Sequence, residues 1–167
     1  MRAIAKSIVF FIIALMNFGE QALAVNSENL SLTISGHIKN QCEMNFRTGN
    51  KMDFSNEKIK SLPFDVYCNQ PLKMSIYSKN GGLRLLQSRT NLLTQYQLDI
   101  AIHSIGLNAS LSSEDLLSPT VIYGSSDIPF TTEGVMRVTL DENLLYAGHY
   151  EDVIEIDVYP SIHDISN

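Results

Sequence analysis

Residues 145–159 read LYAGHYEDVIEIDVY, and their patterning decides the fold class. Ala147 and Gly148 supply a turn. Ile154, Ile156 and Val158 then alternate with Glu155 and Asp157, the two-residue period of a half-buried strand. A strand this regular belongs in a sheet, and it stands almost at the end of the sequence. What pairs with its far edge is therefore the question that the rest of the chain must answer.

Working back from that strand, Met136, Val138 and Leu140 alternate with Arg137 and Thr139 before a turn at Asp141-Glu142-Asn143. Val121 to Tyr123 reads as a short strand, and Ser112-Ser-Glu-Asp115 as the start of one helical turn limited by Pro119. Tyr96, Leu98, Ile100 and Ile102 alternate with Gln97, Asp99, Ala101 and His103. Leu72, Met74 and Ile76 do so with Lys73, Ser75 and Tyr77, and Asn80-Gly81-Gly82 follows as a hairpin turn. Phe64, Val66 and Cys68 form another strand with Pro63 near its start. The stretch from Glu43 to Lys60 is polar, with Met52 and Phe54 as its anchors to the core. Leu30, Leu32 and Ile34 alternate with Ser31, Thr33 and Ser35, and Gly36 bends the segment before Ile38 and Cys42. No segment carries a long apolar stripe of period 3.6. Strands separated by turn residues predict a single all-β antiparallel sandwich.

The first 24 residues carry Arg2 and Lys6, then the apolar run Ile8 to Met16, then Ala22-Leu23-Ala24. This predicts a secretory signal peptide over 1–24 cleaved after Ala24, because the run is too short to span a bilayer. The remaining 143 residues are enough for one domain with a sizeable core. They hold ten basic and seventeen acidic residues, a net charge of −7. That sign disfavours nucleic acid and anionic membrane as partners. Cys42 and Cys68, in a chain bound for an oxidising compartment, predict one structural disulfide. On the chain-entropy account such a bridge stabilises the fold by about 3–4 kcal/mol.

A search for catalytic chemistry finds no constellation. His37, His103, His149 and His163 are isolated and read as solvated surface. Ser161, His163 and Asp164 are triad residue types without a rigid support. Glu114-Asp115 and Glu151-Asp152 read as turn solvation and not as an acid/base pair. No phosphate loop and no metal-ligand spacing is present, so no catalytic residue, metal or cofactor is expected. Asn108-Ala109-Ser110 fits a glycosylation acceptor, a motif short enough to arise by chance.

Three motifs in order carry a resemblance. LSLTISGHIKNQC leads to the first cysteine, FDVYCNQPLKMSIYSKNGG surrounds the second, and AGHYEDVIEIDV stands near the C-terminus, with the tail 160–167 beyond it. In this order the three resemble the pilin-like subunits of chaperone–usher fimbriae, most closely the spore coat U type and its archaic fimbrial relatives. The resemblance spans most of residues 25–167. It implies an immunoglobulin-like sandwich lacking its final strand, with residues 36–167 as the domain and 25–35 as an N-terminal extension. It also implies partners: a periplasmic chaperone, an outer-membrane usher and neighbouring subunits, on a route through the periplasm to a fimbrium at the cell surface. Leu30, Leu32 and Ile34 would then be the donor strand, and Ile154, Ile156 and Val158 the acceptor groove edge. Each donor aliphatic would add about 1.5–3 kcal/mol on burial, through the strand-addition mode for which pilins are a standing example. The same three residues read equally well as an ordinary first strand of the domain's own sheet. The tail 160–167, with Ile162 and Ile165, reads as a possible cover for the groove.

The expected function is that of a non-enzymatic fimbrial subunit serving adhesion or biofilm formation. The alternative is a monomeric periplasmic or extracellular ligand-binding β-sandwich using Tyr67, Tyr77, Tyr123 and Tyr146. The residues name no receptor.

Overall fold

The computed structural model describes residues 30–87, 91–124 and 128–161, which divide at Ile38 into two units. In the first unit, residues 30–37 form no strand. Leu30, Leu32 and Ile34 are 98%, 83% and 87% exposed, so within one chain they are not a strand of a sheet. The expected signal peptide, its cleavage at Ala24, and residues 25–29 lie outside the described residues, as do 162–167.

The second unit is all-β and antiparallel. Its strands are β1 (Cys42–Phe46), β2 (Ile59–Cys68), β3 (Leu72–Ser78), β4 (Leu83–Leu85), β5 (Leu93–Thr94), β6 (Tyr96–Ile102), β7 (Leu107–Ser112), β8 (Thr120–Gly124), β9 (Phe130–Leu140), β10 (Tyr150–Glu151) and β11 (Ile154–Pro160). They form a five-stranded sheet in the order β1-β2-β9-β6-β7 and a three-stranded sheet β11-β3-β8. A small sheet β10-β4-β5 completes the set. Inward residues of both larger sheets meet in one core, among them Phe64 and Val66, Leu72 and Ile76, Leu98 and Ile100, Met136 and Val138. The result is a sandwich-like arrangement, the one that alternating strands dictate, since each sheet must hide one face.

Several local expectations needed correction. β1 lies inside the stretch read as polar: Cys42, Met44 and Phe46 turn inward while Glu43 and Asn45 turn out, too short a run to stand out from its neighbours. β2 begins at Ile59, so Pro63 is interior. It is tolerated because its carbonyl faces the β1 side, where it accepts the Arg47 N–H at 3.2 Å beyond the end of that ladder. The ring's missing donor points the same way and subtracts nothing from the β2–β9 pairing. Gly81-Gly82 is not a hairpin turn, since β4 pairs with β5 and β10 and not with β3. β7 was not anticipated, and β9 extends six residues ahead of Met136.

Gly134 explains why that early half of β9 hides from pattern reading. It sits opposite Phe64, and a Cβ there would fall 2.2 Å from the ring. The glycine breaks the aliphatic alternation so that a fully buried phenylalanine can cross it.

Cys42 and Cys68 are disulfide-bonded and face each other across β1 and β2. The predicted bridge is present. On the outer face of the same sheet, Arg47 pairs with Asp65 and Glu133. Hydrogen bonding to the Arg47 guanidinium holds the Asp65 carboxyl below the usual carboxylate range.

Candidate functional site

β11 has one ladder, to β3, with Ile154 opposite Ser78, Ile156 opposite Ile76 and Val158 opposite Met74. Among the described residues nothing pairs with its other edge, and β1 likewise pairs with β2 alone. The inward residues of both edges are less buried than the centre of the core. Cys42, Met44 and Phe46 of β1 and Ile154, Ile156 and Val158 of β11 pack against the core yet are only half-buried. On β3 and β6 the corresponding inward residues are buried, as are those from Leu62 to Cys68 of β2 and from Met136 to Leu140 of β9, whereas Leu111 of β7, Ile122 of β8 and Phe130 at the start of β9 are half-buried too. Three of the edge residues, Phe46, Ile154 and Ile156, line a depression that the strands among the described residues leave unfilled.

The depression is a groove of 560 Å³. Ile154 and Ile156 form one wall and Phe46 another, with the Phe46 ring edge-on to Phe64 at 6.4 Å. Leu62, Leu98, Met136 and Val138 from the five-stranded sheet make its floor. Met52 and Phe54 close its side, and Asn50, Lys51, His149, Tyr150 and Glu151 surround a polar mouth. Of the three residues expected on the groove edge, Ile154 and Ile156 line this volume. Val158 points to the same side of β11 but lies beyond it, towards the disulfide end.

Asp152 fixes that mouth, and the reading of it as turn solvation was wrong. Its carboxylate accepts from Ser78 Oγ at 2.6 Å, the Tyr96 hydroxyl at 2.8 Å, and the backbone N–H groups of Val153 (2.8 Å), Asn80 (3.0 Å) and Gly82 (3.2 Å). One side chain thus ties the end of β3, the 78–82 turn and β6 to the entrance of β11. A carboxylate suits this place because it only accepts, and five donors converge on it. Burial pushes the Tyr96 phenol well up, and the charge on Asp152 adds to the effect. No pattern of period two or 3.6 marks such a residue. The only signal is its place at the end of the Ala-Gly-x-Tyr-x-Asp motif.

The remaining candidates do not assemble. Tyr67 lies on β2 in the five-stranded sheet, Tyr77 and Tyr123 on the paired strands β3 and β8, and Tyr146 in the loop before β10, so the four are spread over separate elements. His37, His103 and His149 are exposed, and His163 and Asp164 lie outside the described residues. Ser161 is buried, its N–H donating to the Pro71 carbonyl at 2.6 Å. Among the described residues no group of three His, Cys, Asp or Glu side chains is placed to hold a metal ion. The expected cover from 160–167 falls mostly on residues outside the description. No model of a known protein family matches the chain, and no curated protein matches it.

Proposed function

We propose that this chain is a structural subunit of a secreted bacterial fimbria, joined to its neighbours by strand donation. On this reading the sandwich is immunoglobulin-like and lacks its last strand. A periplasmic chaperone fills the groove first, and the N-terminal extension of a neighbouring subunit replaces it at an outer-membrane usher. The observation that carries the reading is an apolar groove lined by half-buried residues of two outer strands, Phe46 of β1 and Ile154 and Ile156 of β11, neither of which has a second ladder among the described residues. An open edge beside an apolar groove is a site for strand addition or for aggregation. Leu30, Leu32 and Ile34 supply a matching strand: three exposed aliphatics at alternate positions. Each buries about 1.5–3 kcal/mol worth of side chain on docking.

The test uses the purified chain and a synthetic peptide of residues 25–35 (VNSENLSLTIS). The peptide is expected to bind and to raise the unfolding temperature, and a peptide with Leu32→Ser and Ile34→Ser is not. A chain that stays a fully folded monomer and ignores the peptide would sink the proposal. Deleting residues 25–33 is expected to leave a domain that accepts the peptide but no longer joins into fibres.

A further inference from the structure

Residues 51–55 behave like a strand that has no sheet. Exposure alternates strictly along Lys51, Met52, Asp53, Phe54 and Ser55, with Met52 and Phe54 half-buried against the core. Yet no strand is formed there. Among the described residues none of 50–57 makes a backbone hydrogen bond to another strand. The segment is held instead by short-range contacts, with the Ser55 N–H and Oγ donating to Asp53 Oδ1 at 2.9 and 2.6 Å. Its two apolar side chains line the same groove as Ile154 and Ile156.

The two ends of the segment differ. At its start Gly49 has φ +85°, and nothing lies within 4 Å of the place a Cβ would occupy. That is a conformation and a clearance suited to a pivot. At its finish Lys58 is anchored: its carbonyl accepts the Leu140 N–H at 2.8 Å, and its Nζ donates to the Asp141 carbonyl at 3.0 Å. Gly49 is held only by an isolated bridge to Arg47, and a segment with few apolar contacts and no ladder is the part of a domain that opens most easily.

We infer that residues 50–57 are a placeholder strap. Met52 and Phe54 shield the groove while it is vacant, and an incoming strand displaces them by swinging the segment about Gly49. The inference rests on the reading of the groove as a strand acceptor and adds what governs entry to it. A strap competes with the incoming strand, whereas a fixed wall would assist it, so the sign of a mutational effect separates the two.

The experiment measures association of the 25–35 peptide with the purified chain and with its Met52→Ser/Phe54→Ser variant. A strap predicts association about tenfold faster in the variant, because two half-buried apolar contacts no longer oppose entry. A second variant guards against misfolding. The chain has no tryptophan, so Phe54→Trp provides a single emission signal. Its emission is expected to shift to the red as peptide binds and the side chain moves into water. Peptide uptake with unchanged or slower association, or with unshifted emission, overturns the strap and leaves the acceptor groove standing. Failure of the unaltered chain to take up peptide at all overturns both.

Discussion

β3 and β11 lie side by side in one sheet and carry the same alternating aliphatics, yet they experience different environments. Leu72, Met74 and Ile76 on β3 are fully buried, whereas Ile154, Ile156 and Val158 on β11 are half-buried. The difference does not come from side-chain chemistry, which is nearly identical. It comes from neighbours: β3 has β8 on one side and β11 on the other, while β11 has β3 alone. Burial in a sandwich is a property of the strand's position in the sheet as much as of its sequence.

The sharpest way to break that contrast is a matched pair of substitutions. Ile76→Ala is expected to lower stability by about 4 kcal/mol, through lost transfer energy and a cavity that neighbours cannot fill. Ile156→Ala, directly opposite in the ladder, removes side chain already half in water and is expected to cost about 1 kcal/mol. Urea unfolding of both variants measures the gap. Repeating the measurement with saturating 25–35 peptide should narrow it, because a filled groove turns Ile156 into a core residue. Equal losses without peptide would show that β11 is buried like β3.

The second wall is tested through its tether. Cys42→Ser frees the start of β1 from β2, and closure of a 26-residue separation corresponds to about 3.5 kcal/mol on the chain-entropy account. Unfolding midpoints with and without a reducing agent should differ in the parent chain and coincide in the variant.

The mouth of the groove should respond less than the core at Ile76 or the disulfide. Asp152→Asn keeps the shape but replaces an acceptor with a group that also donates, and is expected to cost about 2 kcal/mol. Tyr96 gives this corner a pH signature. Its folded pKa lies above its unfolded value, so its contribution is whole below about pH 10, where the unfolded phenol begins to ionise. It is lost as pH rises towards the folded value. Tyr96→Phe should flatten the alkaline limb of a stability–pH curve and lower the plateau below about pH 9 by the hydrogen bond lost to Asp152.

Much of the fold was legible because alternation is a local signal. Tyr96 to Ile102, Leu72 to Ser78 and Ile154 to Val158 declare themselves through their own residues. β1 did not, since three inward residues separated by Glu43 and Asn45 make a weak pattern. The first half of β9 was masked by Gly134, whose purpose is visible only once Phe64 is opposite it. The β4, β5 and β10 strands are two or three residues long, below what periodicity can register. At the groove, Ile154 and Ile156 could be named from sequence. Phe54, Leu62 and Asp152 could not, because what unites them is a shared space between distant segments and no shared period. The exposure of Leu30, Leu32 and Ile34 was open in the sequence, which allowed a buried strand equally well.

Asp152 also has a consequence for the order of events during synthesis. Its partners Ser78, Asn80, Gly82 and Tyr96 leave the ribosome more than fifty residues before it does. Until the last portion of the chain emerges, the 78–82 turn has no carboxylate to satisfy its amides, and β3 lacks one of its two neighbours. A chain that emerges N-terminus first, from a ribosome or across a membrane, therefore passes through an unfinished sandwich with an exposed apolar face, the kind of species that aggregates. Any helper that guards it must engage early, and any truncation upstream of Asp152 removes the residue that closes the turn along with the strand that follows.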